Sequence, residues 1–442
     1  MAIKSKFICQ NCSAEYSKWK GQCDICKEWN SIVEELPSDT KLKYETVPDD
    51  FFVSVKDNAD QYISKRYKTN LNELNRVLGG GLVDGSVILL SGAPGIGKST
   101  LLLQIMNNIP ELNEFFYISA EESVGQVLMR AQRININNSK LKIASASSML
   151  KIFSALKNIT PHSIVIIDSI QTVTSELIQS PAGSISQVRA CTLELVNFAK
   201  EHNIIIIIVG HVTKDGTIAG PKTLEHMVDV VLNFEGDKIS DYRILRGEKN
   251  RYGAIDEIGV FTMGPQGLIE VSNPSAMFLS SHDELPYGVS VFAGLEGTRP
   301  LLFEIQALVS VTAIQIPRRS AVGIDINRLM MILAILSSKT SLNFSNKDVY
   351  VNVAGGFKIA DPAVDLAIAV AIASATFRKP LSSKAAYFGE LALSGEIKKS
   401  YLAYNRIKEA VKLGFTNIYC CSDEKNGVNN VTNIRQAISM VK

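Results

Sequence analysis

Gly92-Ala93-Pro94-Gly95-Ile96-Gly97-Lys98-Ser99-Thr100 is the stretch from which the fold is read. It follows the apolar run Ser86 to Leu90 and precedes the helical pattern Leu101 to Asn107, so its glycines fall where a buried strand turns into a helix. In that context a Gly-rich loop curls backbone N–H groups around a polyphosphate, and the helix N-terminus favours the negative charge. On this reading Gly92 to Thr100 bind ATP, Lys98 reaches the outer phosphates and Ser99 ligates Mg2+. A ligand-free Gly-rich turn is the alternative, and both flanks argue against it.

Further β-branched runs, Phe115 to Ser119, Ile164 to Asp168 and Ile204 to Val209, alternate with helical segments. Continuous apolar strands of this kind predict an α/β fold with a parallel sheet covered on both faces. Asp168 ends one run at the edge where a carboxylate completes a Mg2+ shell, although an aspartate also caps turns. Glu121, in Ala120-Glu121-Glu122-Ser123, can polarise an attacking water, and an acidic residue equally suits a helix N-terminus. His211, at the end of Ile204 to Gly210, is a candidate γ-phosphate sensor or a satisfied strand-end histidine.

A chain of 442 residues exceeds one ordinary core, so two or three domains are expected. With 46% hydrophobic and 20% charged residues it is neither disordered nor fibrous. The net charge of +2 gives no global basic signature, so a nucleic-acid surface must be a local patch or a pore lining. Cys9 and polar residues interrupt the N-terminus before a signal-peptide core can form. The most apolar run, Ile204 to Val209, is far short of the roughly 20 residues of a membrane helix. No membrane association is expected.

Four of the seven cysteines are clustered, and Cys191, Cys420 and Cys421 are scattered, which suits a reducing cytoplasm better than a disulfide framework. Cys9-x2-Cys12-x10-Cys23-x2-Cys26 pairs four thiolates at the spacing of a structural, tetrahedral Zn2+ site. Between the pairs, Trp19, Lys18 and Lys20 are candidates to contact DNA or a partner protein, or the aromatic completes a tiny core.

Leu78-Gly-Gly-Gly-Leu82, Ser119-Ala-Glu-Glu-Ser123, Gly210-His-Val-Thr-Lys-Asp-Gly216 and Lys249-Asn-Arg-Tyr-Gly253 together resemble the bacterial RadA (Sms) family, RecA-related DNA-dependent ATPases. The resemblance spans nearly the whole chain. It implies a zinc-ribbon-like module, a RecA-like P-loop core and a C-terminal α+β domain like that of Lon protease, in that order. It also implies a homo-hexameric ring, ATP hydrolysis between subunits, and branch migration on single-stranded and branched DNA beside a RecA-type recombinase filament. By the same resemblance Glu121 is the water-activating carboxylate and His211 the γ-phosphate sensor. Lys249 and Arg251 become candidates to reach a neighbouring subunit's phosphates. Tyr252 stands where the family usually has Phe, and Ala120 where it has Gly. Loops Ser175 to Ser184 and Lys214 to Lys222 are implied to face the ring axis, with Lys214 and Lys222 as DNA contacts.

The expected organisation is a zinc module (1–33), a linker (34–66), an ATPase domain (67–272) and a Lon-like domain (273–442). In the last, Asn352 to Phe357, Asp361 to Asp365 and Gly389 to Glu396 look like the Lon fold. Ala363 takes the place of the nucleophilic Ser, and the Lys position falls near Tyr404, with Lys399 and Lys408 close in sequence, so no proteolysis is expected. Lys398 and Lys399 are possible DNA contacts. A KaiC-like regulatory ATPase without DNA translocation is the alternative function.

Overall fold

The computed structural model describes residues 6–9, 14–29, 32–35, 65–107, 109–211, 221–236, 242–280, 285–424 and 427–441. Cys12, Lys214, the side chain of Lys222 and all but the ends of the expected linker lie outside the described residues. The chain divides into two compact units, Met1–Ile63 and Ser64–Lys442.

The small unit holds an antiparallel sheet in which β1 (Lys6–Cys9) lies between β2 (Glu15–Tyr16) and β3 (Ile32–Glu35). Strand β3 pairs with β1 through Glu35, two residues beyond the boundary expected for the module.

The large unit is built on a nine-stranded sheet. Its strands are β4 (Val87–Gly92), β5 (Phe115–Ser119), β6 (Leu141–Ser145), β7 (Ile164–Asp168), β8 (Ile205–Val209), β9 (Val230–Glu235), β10 (Tyr242–Asn250), β11 (Ile258–Gly264) and β12 (Gly267–Glu270), in the order β12-β11-β10-β9-β4-β8-β7-β5-β6. The strands from β9 to β6 run parallel, and β10 to β12 extend the sheet antiparallel. Side chains alternate between faces along each strand. Ile88, Leu90, Ile164, Ile166, Ile205 and Ile207 therefore join one buried cluster, and Val87, Leu89, Val165, Ile167, Ile206 and Ile208 join the other. Burial on both faces is why these runs read as unbroken apolar strings.

Helix α1 (Lys98–Ile105) starts earlier than the apolar pattern suggested, because Gly97, at φ 118°, caps it in the left-handed region and puts Lys98, Ser99 and Thr100 in the first turn. Helix α2 (Val124–Arg133) begins in a capping box between Ser123 and Gln126. Helix α3 (Ile185–His202) covers the opposite face through Val188, Cys191 and Leu195.

A second, seven-stranded sheet follows, with β13 (Val289–Glu296), β14 (Arg299–Val311), β15 (Arg319–Val322), β16 (Lys347–Val353), β17 (Ala385–Tyr387), β18 (Asn417–Cys420) and β19 (Val428–Asn430) in the order β15-β16-β14-β13-β17-β18-β19. Helix α4 (Asp365–Phe377), apolar all round, is buried against it. Pro362–Val364 form a 3-10 turn, capped by Asp361, before this α-helix begins. The core of this sheet takes in Ile244, Ile258 and Val260 from the first, so the two sheets share buried apolar contacts. No described helix is long and apolar enough to cross a membrane.

Candidate functional site

A cleft of about 420 Å³ opens at the C-terminal ends of β4, β5, β7 and β8, lined by Gly95, Gly97, Lys98, Ser99, Glu121, Asp168 and His211. Seven residues scattered over more than a hundred positions meet because parallel strands deliver their C-terminal ends to one edge. The loop requires its glycines. Gly92, Gly95 and Gly97 all have positive φ, and a Cβ at Gly92 would fall 2.5 Å from Phe234 O.

Lys98 is buried, and its Nζ donates to Gly92 O at 2.6 Å and Ala93 O at 3.1 Å. Burial pushes its pKa down to about 8, against the opposing pull of the Asp168 and Glu121 carboxylates. Asp168 Oδ2 accepts from Ser99 Oγ at 2.8 Å and from Tyr117 Oη at 2.5 Å. A hydroxyl and a carboxylate beside a phosphate-sized cradle are a donor set that suits a hard divalent cation, such as the Mg2+ that accompanies ATP.

The two adjacent glutamates separate cleanly. Glu122 is held by both arms of the Arg130 guanidinium, at 2.7 and 2.6 Å. Glu121 instead accepts from Ser169 Oγ and lies 3.2 Å, Oε1 to Nε2, from His211. That contact lacks hydrogen-bond geometry: among the described residues both ring nitrogens of His211 are buried without a hydrogen-bond partner. A polar ring with open donor and acceptor positions inside a phosphate cleft is suited to a phosphate oxygen or water. Tyr117, Arg130, Arg133 and Met263 also belong to this site and were not foreseen; a hydroxyl or guanidinium inside an ordinary strand or helix pattern carries no local signal.

Lys249 and Arg251 stand apart from this cleft in their own chain. Lys249 Nζ donates to Glu225 O at 2.7 Å and Val228 O at 2.8 Å. Arg251, its side chain 51% exposed, pairs with buried Asp229 at 3.1 Å. Their turn rests on the glycine run before the P-loop: a Cβ on Gly79 would lie 2.9 Å from Gly253 Cα, and Arg66 Nη2 donates to Tyr252 O at 2.8 Å.

In the small unit the thiols of Cys9, Cys23 and Cys26 lie within 4.8 Å of one another. Tyr16 Oη is 3.1 Å from Cys23 Sγ. Three converging sulfurs with a hydroxyl beside one of them fit a zinc ion, which needs a fourth ligand that Cys12 would supply.

The C-terminal cleft, about 430 Å³, is lined by Asp361, Ala363, Glu390, Lys399, Ser400 and Arg406. Tyr404, expected at the Lys position, is 61% exposed and does not line it. The buried cation there is Arg406, 2.6 Å from Asp361 and bonded to Ala293 O at 3.0 Å. Ser400 Oγ is buried without a partner, while Lys399 Nζ is paired with Asp423.

Known proteins match this arrangement along its length. The rubredoxin metal binding domain family matches residues 7–34, the AAA domain family residues 58–217, and the family of subunit ChlI of Mg-chelatase residues 324–424. The DNA repair protein RadA of Rickettsia felis is 51% identical over 419 residues, 94% of each chain. That of Bacillus subtilis is 47% identical over 93% of this chain and 91% of its own. Among solved structures, the RadB recombinase aligns with 47% of this chain and 100% of its own, at 21% identity and a TM-score of 0.38.

Proposed function

Because the chain belongs to the RadA family of DNA repair proteins, with a RecA-like ATPase core and a zinc ribbon, we propose that it uses ATP hydrolysis to move along single-stranded and branched DNA in recombination and repair. The observation that carries the reading is the cleft that joins the P-loop to Glu121, Asp168 and His211. Lys98 and the P-loop amides would hold the phosphates, and Ser99 with Asp168 would hold Mg2+, which would supply positive charge to the phosphoryl oxygens. Glu121 orients and accepts a proton from the attacking water, and His211 senses the γ-phosphate.

Lys249 and Arg251 complete a neighbouring subunit's site in a homo-hexamer. The exposure of the Arg251 guanidinium supports this reading, since it leaves the group able to reach another chain. Lys214 and Lys222 are the proposed DNA contacts along the ring axis, where six copies multiply a weak local charge. A RecA-type filament is the proposed protein partner. The C-terminal domain acts as a scaffold and not as a protease: the buried cation in its cleft is a guanidinium, which stays protonated and cannot serve as a general base, Lys399 is held by Asp423, and Ala363 offers no nucleophile.

ATP turnover measured with and without single-stranded DNA tests the proposal. Stimulation is expected. A rate indifferent to DNA in a folded, nucleotide-binding protein would instead favour a KaiC-like regulatory ATPase without translocation.

A further inference from the structure

Both tryptophans of the chain, Trp19 and Trp29, lie in the cysteine module, and neither packs inside it. Its core is Cys9, Cys23 and Ile32, surrounded by Phe7, Ala14, Tyr16 and Cys26. Trp19 and Trp29 are 59% and 68% exposed, beside Ile25 at 73%. The two indoles flank Gly21: a Cβ built there would sit 3.8 Å from Trp19 Cη2 and 3.7 Å from Trp29 Cζ3. The Trp19 indole is held by donating from Nε1 to Ile32 O at 3.1 Å, and the Trp29 backbone bridges to Gln22.

A module of this size has little apolar surface with which to build a core, so leaving its two largest side chains in water calls for an occupant. The surroundings indicate its chemistry. Lys18, Lys20 and Lys27 are exposed on the same segment against Asp24 and Glu28, a net charge of +1, and Lys20 is paired with Asp24, which leaves Lys18 and Lys27 as the cations that outnumber Glu28. Exposed aromatic planes on a segment that also carries Lys18 and Lys27 match a strand of unpaired bases: each base offers a π face, and the cations meet its phosphates. A duplex hides those faces in its stack.

We propose that Trp19 and Trp29 form a stacking surface for single-stranded DNA, separate from the ATPase loops. The proposal rests on the DNA reading of the whole chain. Because these are the chain's two indoles, selectively excited tryptophan emission reports on this face alone. The full-length protein is titrated with unlabelled oligothymidylate while emission is recorded, and in parallel the anisotropy of an end-labelled oligothymidylate reports total binding. Saturable quenching with the anisotropy midpoint is expected, and Trp29→Ala should weaken binding about tenfold with zinc content and DNA-free turnover unchanged. Rising anisotropy with constant emission in the unmutated protein would overturn the stacking surface and leave the DNA reading standing. Flat anisotropy would remove the DNA reading, and this proposal with it. Emission that ignores DNA but responds to a purified RecA-type recombinase would make the face a protein-docking surface and overturn the proposal.

Discussion

Lys98 illustrates how one residue's burial shapes nucleotide binding. Its ammonium is pushed down to about 8 by loss of water, whereas bound phosphate oxygens favour the charged form. Above that pH the lysine must take up a proton on binding; below it the proton is already present. ATP affinity should therefore be flat below about pH 8 and fall by up to about tenfold per pH unit above it. Titration with a fluorescent ATP analogue from neutral pH upward checks this, and an affinity constant across that range would show that Lys98 stays charged. At this scale the sequence named the P-loop, Asp168 and His211 because each stands at the end of an apolar run. It named Glu121 through the family resemblance, since which of two neighbouring glutamates faces the phosphates depends on what each side chain meets. Arg130, in the second turn of the following helix, takes Glu122 and leaves Glu121 to Ser169 and His211.

The parallel strands were legible as elements. Phe115–Ser119 and Ile164–Asp168 coincide with the runs read from the sequence, because burial on both faces leaves no polar interruption. The antiparallel extension was not legible. Tyr242–Asn250 carries Arg243, Arg246, Glu248 and Lys249, and it is a strand because Leu245 and Ile244 enter cores on opposite sides of the sheet. That strand delivers Lys249 and Arg251 to a turn whose position depends on two bare backbones, Gly79 and Gly253. In Gly253→Ala the new methyl would meet Gly79 Cα at 2.9 Å and Asn250 Nδ2 at 3.0 Å. Overpacking should cost about 1–3 kcal/mol in stability. If the turn places Arg251 at a neighbour's phosphates, turnover should fall well beyond the loss in ATP affinity. A melting curve with a steady-state assay separates these effects, and parallel losses would confine the glycine to a structural role.

At the scale of the molecule, the two sheets are joined by buried charge as well as by apolar contact. Arg299 pairs with Glu73, both nearly fully buried, and Glu73 Oε2 also accepts from Val260 N at 2.8 Å. Arg246 bridges Glu235 and Glu296 at 3.2 and 2.5 Å. Removing one partner of a buried pair strands the other, so Arg299→Ala should destabilise the large unit by about 3–5 kcal/mol. Chemical denaturation followed by circular dichroism measures it; a loss below 1 kcal/mol would mean that water reaches Glu73. None of these pairs was visible beforehand, because partners that stand from 11 to 226 positions apart share no spacing that a sequence pattern reveals.

Gln104, on the P-loop helix, donates from Nε2 to Leu268 O and accepts at Oε1 from Leu268 N, both at 2.9 Å. Leu268 lies in the outermost strand of the nine, and a side-chain amide there supplies the donor and acceptor that a tenth strand would have brought. An open sheet margin is a template on which another polypeptide can zip, the usual starting point of fibrous aggregation. Gln104 sheathes this margin at Leu268, so a polypeptide that approaches there meets a side-chain amide already in place and not an open backbone pair.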